Sequence, residues 1–217
     1  MTPPTTTEVK ICGLKTTTEI DAAIDGGADY IGLVLFPPSP RNVSIEEARR
    51  LAEHARGRTR IVALSVDADD ALIDRIASDI APDLLQLHGS EDMERIRRIR
   101  TLTQTGVMKA VKVATADDTE IAFRYHWVVD RILFDAKAPK DSPIPGGNGL
   151  QFDWHALEPV RGRMDFMLSG GLTPDNVADA IELTGAPAVD VSSGVESAPG
   201  VKDPARIRAF LQAAKGL

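Results

Sequence analysis

The sequence predicts a single α/β barrel of eight strand-helix units with its chemistry at the C-terminal face of the strands. Three observations carry this. Eight short β-branched apolar runs alternate with longer amphipathic stretches, their joints are polar or glycine-containing, and 217 residues is a length that one closed barrel fills. Alternation of this kind produces parallel strands with covering helices. A (β/α)8, or TIM, barrel occupies roughly 200 to 250 residues as one domain.

Residues 1–7, MTPPTTT, read as a loose tail, and residues 8–217 as the barrel domain. The strand candidates are 8–12, 30–36, 60–66, 83–87, 107–113, 131–135, 164–169 and 188–192. Thr16 with Glu19 and Ser44 with Glu47 have the spacing by which side chain and backbone cap each other, which predicts helix starts. Thr173-Pro174 and Asp203-Pro204 predict two more, each placing a capping side chain before a residue whose fixed φ suits the first helical position. From 176 to 183 Val177, Ala180 and Ile181 share one face, and Gly185 is the expected stop. After Asp135 the rhythm breaks at AKAPKDSPIPGGNG, before a helix-like FDWHALEP. A long irregular segment in a compact fold is either functional or a tolerated insertion, and the residues do not decide between the two.

Strand parity then becomes informative, because a closed parallel sheet buries both faces. Val9 and Ile11 suit the helix side, which turns Lys10 and Cys12 toward the axis; Ile132 and Phe134 do the same for Arg131, Leu133 and Asp135. Cys12 and Asp135 therefore end their strands over the barrel mouth, where such barrels carry chemistry. Lys10 and Asp190 point inward from neighbouring strands and are expected to form a buried ion pair, since a lone inward charge would be costly.

Composition narrows the partners. A formal charge of −7 disfavours nucleic acid, which needs clustered Lys and Arg, and no apolar run is long enough to cross a bilayer. Any anionic small molecule must be held locally, and the expected phosphate site is formed by Gly170-Gly171 and Ser192-Ser193-Gly194 after strands seven and eight, where backbone amides can approach an anion. The first residues lack the basic start and apolar stretch of a secretory signal, and the single cysteine cannot form an internal disulfide, so the expected location is cytoplasmic. His54, His126 and His155 show no metal-site spacing, so neither metal nor cofactor is expected. Helix periodicity leaves monomer and homodimer equally open.

VKICG at 9–13, the SPR of Ser39 to Arg41, QLHG at 86–89, LFD at 133–135, SGGLTPDNV at 169–177, DVSSGVE at 190–196, and the APG and KD that follow span the chain. In this order they resemble the phosphoribosylanthranilate isomerases of tryptophan biosynthesis. The resemblance implies an Amadori rearrangement of N-(5-phosphoribosyl)anthranilate, in which a ribose ring opens and a proton leaves C2′. It implies Cys12 as general base, Asp135 as general acid and Arg41 as partner of the anthranilate carboxylate. The two proton-transfer roles need Asp135 protonated and Cys12 ionised, so their surroundings are expected to push the two groups in those directions. His88 is a possible neighbour by parity with Gln86; Gly147 and Asn148 are further possible neighbours, in a GGNG that departs from the family's frequent GGTG. Two related sugar-phosphate barrels, indole-glycerol-phosphate synthase and ribulose-phosphate epimerase, fit the phosphate joints but not the Cys12-Asp135 pair. A non-catalytic phospholigand-binding barrel is the alternative outside enzymes.

Overall fold

The computed structural model describes residues 7–138, 146–147 and 149–216; residues 1–6 of the expected tail, residues 139–145 of the long loop, and Asn148 lie outside them. Strands β1 (Glu8–Cys12), β2 (Tyr30–Val34), β3 (Arg60–Ser65), β4 (Leu84–Leu87), β5 (Gly106–Val113), β6 (Arg131–Ala136), β7 (Phe166–Leu168) and β8 (Ala188–Val191) close into a barrel in chain order. Closure is through parallel pairing of β8 with β1, with Lys10 opposite Asp190. Two short strands, β9 (Glu196–Ala198) and β10 (Val201–Lys202), form a separate antiparallel hairpin. The helices are α1 (Thr17–Asp25), α2 (Ile45–Ala55), α3 (Asp70–Arg75), α4 (Met93–Thr103), α5 (Glu120–Tyr125), α6 (Val177–Thr184) and α7 (Pro204–Lys215). Among the described residues no helix is long and apolar enough to cross a membrane.

The helix starts follow from side-chain chemistry. Both expected capping boxes are present, at Thr16 with Glu19 and Ser44 with Glu47, and Asp203 caps α7 ahead of Pro204. Gly185 ends α6 in a left-handed conformation, as expected for a residue without Cβ. Thr173-Pro174 does not start α6. Asn176 Oδ1 accepts from the Thr173 amide at 2.8 Å and folds 174–176 into a turn, so the helix begins one turn later, at Val177. FDWHALEP forms only a 3-10 turn at Trp154–Leu157, capped by Asp153, because the proline at 159 follows too closely for a full helix.

Parity holds throughout. Val9, Ile11, Ile132 and Phe134 pack outward in the core between sheet and helices, whereas Tyr30, Val62, Met108, Ala110, Leu133 and Met167 fill the barrel interior. Each fully buried Ile, Leu or Phe side chain contributes roughly 1.5–3 kcal/mol of transfer free energy. The inner layers stop short of the mouth, where Cys12, Val34 and Leu64 line the floor of an open cleft. Lys10 and Asp190 meet beneath it at 2.8 Å, both buried, as the inward parity of two opposite charges requires.

Candidate active site

A cleft opens at the C-terminal ends of the strands. Cys12 from β1 and Asp135 from β6 both line it, and between them lie Gly170 and Gly171 after β7 and Ser192 and Ser193 after β8. Arg41, His88 and Gly147 also line it. Gly194 is not part of the lining: a Cβ there would lie 1.9 Å from the Leu172 carbonyl oxygen, so its missing side chain lets the two joints pack together. Gly32 of β2 gives similar clearance to the base candidate, since a Cβ there would meet the Cys12 sulfur at 2.8 Å.

The charge states run opposite to those expected from the roles. Burial pushes the Cys12 thiol up, and the ammonium groups of Lys10 and Lys202 offset this only in part, with Asp190 opposing them. Burial alone would also raise the Asp135 carboxyl, but Lys112 and His88 outweigh it and hold the group well below the usual carboxylate range. With these partners the pair is thiol and carboxylate. The physical reason is the Lys112 ammonium, 2.8 Å from Asp135 Oδ2, a cation that the sequence reading did not include. A signal for it existed. Lys112 shares inward parity with Met108 and Ala110, and its register partner across β5 and β6 is Asp135.

His88 is buried and sits in the same cluster, with Nε2 at 3.2 Å from Asp135 Oδ2 and 2.5 Å from Lys112 Nζ. Burial, then the Lys112 charge, lowers its pKa and favours the neutral ring, although Asp135 pulls the other way. Nε2 thus faces both the Asp135 carboxylate and the Lys112 ammonium, and Nδ1 lies 3.0 Å from the Gln86 side-chain amide nitrogen. Gly146 closes over this cluster: a Cβ there would lie 2.2 Å from His88 Nε2 and 2.6 Å from Asp135 Oδ2.

Arg41 is buried, and its guanidinium fork is already engaged. Nε donates to Glu196 Oε1 at 2.7 Å and Nη2 to Glu196 Oε2 at 2.9 Å, with Nη2 also 3.2 Å from the Gly147 carbonyl. Only the Nη1 side remains turned toward Gly147. Glu196 and Lys202, both within motifs visible in the sequence, were not recognised there as parts of the site.

A thiol and a carboxyl that share one cleft at the mouth of a (β/α)8 barrel are groups able to transfer protons, as a barrel isomerase requires. The family model described as N-(5'phosphoribosyl)anthranilate (PRA) isomerase matches residues 9–213. The chain is 53% identical over 209 residues to an N-(5'-phosphoribosyl)anthranilate isomerase of Rhizobium meliloti (strain 1021), covering 96% of this chain and 97% of that one. A phosphoribosyl anthranilate isomerase from Thermotoga maritima has a similar structure, with TM-score 0.88 and 38% identity over 97% of this chain and 100% of its own. Another such enzyme, solved in complex with reduced 1-(o-carboxyphenylamino)-1-deoxyribulose 5-phosphate, gives TM-score 0.85 and 37% identity, covering 97% of this chain and 100% of that chain. The chain belongs to the N-(5'-phosphoribosyl)anthranilate isomerase family.

Proposed function

We propose that this chain isomerises N-(5-phosphoribosyl)anthranilate to 1-(2-carboxyphenylamino)-1-deoxyribulose 5-phosphate in tryptophan biosynthesis, with Asp135 as acid and Cys12 as base. The observation that carries the assignment is their placement on one cleft, on either side of the β7 and β8 joints. A sugar phosphate anchored by the backbone at Gly170, Gly171, Ser192 and Ser193 reaches toward the axis between them. Gly194 supports that seat by close packing. Arg41 meets the anthranilate carboxylate through Nη1, because Glu196 holds its other edge.

Protonated Asp135 gives its proton to the ring oxygen as the C1′–O bond breaks and the nitrogen lone pair forms an iminium. The Cys12 thiolate removes the C2′ proton, and the released electron pair forms the C1′=C2′ bond of an enaminol. Ketonisation adds a proton to C1′ and removes one from O2′. If the thiol supplies the first and the Asp135 carboxylate takes the second, the pair is reset with no net proton exchanged. The thiol-carboxylate state favoured by Lys112 and burial is thus the one left after proton abstraction, and the catalytic pair is a minority tautomer of the same singly protonated site. His88 and Gly147 border the reacting groups, while Asn148 keeps its proposed neighbour role from the sequence alone.

A cytoplasmic location belongs to the same proposal, supported by a fold that keeps Cys12 as a free thiol. Disappearance of phosphoribosylanthranilate fluorescence on adding purified protein, lost in Cys12→Ala and in Asp135→Asn, is the expected result. Tight binding without turnover by the wild type would overturn it.

A further inference from the structure

The hairpin β9–β10 is not needed to close the barrel, yet it delivers two buried charged groups against Arg41 and Ser192, which line the cleft. Lys202 stands opposite Glu196 across the hairpin, and its Nζ donates to Glu196 Oε1 at 2.8 Å. The same carboxylate accepts from Arg41 through both oxygens, and its Oε2 also takes the Gly200 amide at 3.2 Å. All lone-pair directions of Glu196 are therefore committed. Burial would push its carboxyl up, but Arg41 and Lys202 bring it below the usual range, so it is ionised at neutral pH.

Two consequences follow from the charge count. Arg41, Lys202 and Glu196 together carry one unit of excess positive charge in a buried cluster, an arrangement that is costly unless an anion completes it. With Nε and Nη2 committed, Arg41 cannot rotate to offer its fork, and its remaining edge is fixed toward Gly147 at the cleft. Lys202 also donates to the Ser192 carbonyl at 2.8 Å and Ser192 Oγ at 3.1 Å, and Ser192 Oγ donates to the Cys12 carbonyl at 3.0 Å. One hairpin thereby ties the carboxylate-recognising arginine to a joint that seats phosphate and to the strand end bearing the base.

We propose that Glu196 is a positioning residue that sets the preference for a carboxylate-bearing aryl group, by holding Arg41 with one guanidinium edge directed into the cleft. The inference rests on the activity assigned above and adds a determinant of substrate choice to it. Glu196 touches Arg41, not the reacting atoms, so its effect falls on recognition rather than on proton transfer.

The test compares two substrates, N-(5-phosphoribosyl)anthranilate and N-(5-phosphoribosyl)aniline, which lacks the ring carboxylate, in wild type, Glu196→Gln and Glu196→Asp. In Glu196→Gln the KM for the anthranilate compound is expected to rise roughly tenfold to a hundredfold, as for loss of one charge-assisted contact, with kcat little changed. For the aniline compound the rise in KM is expected to be at least severalfold smaller, limited to what reaches the Ser192 joint through Lys202, and circular dichroism shows that the variant is folded. Glu196→Asp, with the charge kept but shortened, falls between. Calorimetric binding of the reduced product analogues with and without the carboxylate repeats the comparison in the absence of turnover. Equal losses for both compounds, or no change for either, would overturn the role of Glu196. A wild type that binds both analogues with the expected preference yet turns over neither substrate overturns the activity instead and leaves the positioning role standing.

Discussion

At the N-terminal rim of the strands Glu8 accepts from Arg60 and, at 2.6 Å, from Arg131; at the C-terminal rim Asp135 accepts from Lys112 beside His88. Both ends of one barrel thus carry a carboxylate held between basic side chains, and both are held below their ordinary range against the effect of burial. They differ in what surrounds the carboxylate. At the lower rim the partners are two arginines, and the Arg60 guanidinium stacks over the Tyr30 ring, 3.7 Å from its centroid. At the mouth the partners are a lysine and a histidine whose ring burial keeps neutral, and the cluster faces an open cleft. The same pairing braces the lower end of the barrel and, at the mouth, sets the charge of a carboxylate that faces the cleft.

Substitutions at the two rims should separate along that line. The largest effect belongs to the mouth: Cys12→Ala and Asp135→Asn should each lower kcat by roughly a hundredfold to ten-thousandfold, the usual contribution of a placed acid or base. Thermal unfolding should show both variants still folded, and a variant that kept wild-type kcat would remove its residue from the mechanism. Next comes the layer beneath. Lys10→Met leaves Asp190 buried without its cation, with Ser169 Oγ at 3.1 Å as its remaining side-chain partner, and should cost about 3–5 kcal/mol in chemical denaturation. Adding Asp190→Leu should recover much of that loss; no recovery would mean the pair is not coupled.

Lys112→Met is the sharper test of how the mouth is poised. Removing the ammonium raises the Asp135 pKa, because the ionised form loses its main stabilising charge. Below that pKa both groups carry protons and Cys12 cannot act, so the acidic limb of kcat/KM against pH should move to higher pH. The alkaline limb, set by Cys12, should move less. An unmoved acidic limb would show that Lys112 does not govern Asp135. The smallest effect is expected at the lower rim, where Glu8→Gln should change stability by no more than about 1 kcal/mol, because Glu8 and Arg60 are part-exposed and screened. Turnover by Glu8→Gln should match wild type; a kinetic defect there would erase the distinction between the two ends.

Parity reasoning located the barrel layers, the Lys10–Asp190 pair and the cleft positions of Cys12 and Asp135, because alternate residues of a closed sheet must face opposite ways. It did not yield the charge states. Those depend on Lys112, whose inward parity was readable but whose pairing with Asp135 required the β5–β6 register, a tertiary fact. Arg41 was placed in the site, but its lock by Glu196 spans 155 residues of chain and comes from a hairpin too short to show a strand pattern. The short 3-10 turn at Trp154–Leu157 and the late start of α6 went astray for local reasons, a nearby proline and an asparagine that folds its own turn.

Cys12 is the chain's one cysteine, and burial keeps most of it as thiol. Peroxides and alkylating agents attack the thiolate, so in the proposed mechanism a base that ionises only when substrate draws on it is shielded between turnovers. Resistance of the thiol to oxidation then comes at the expense of the fraction of molecules primed to react at any instant.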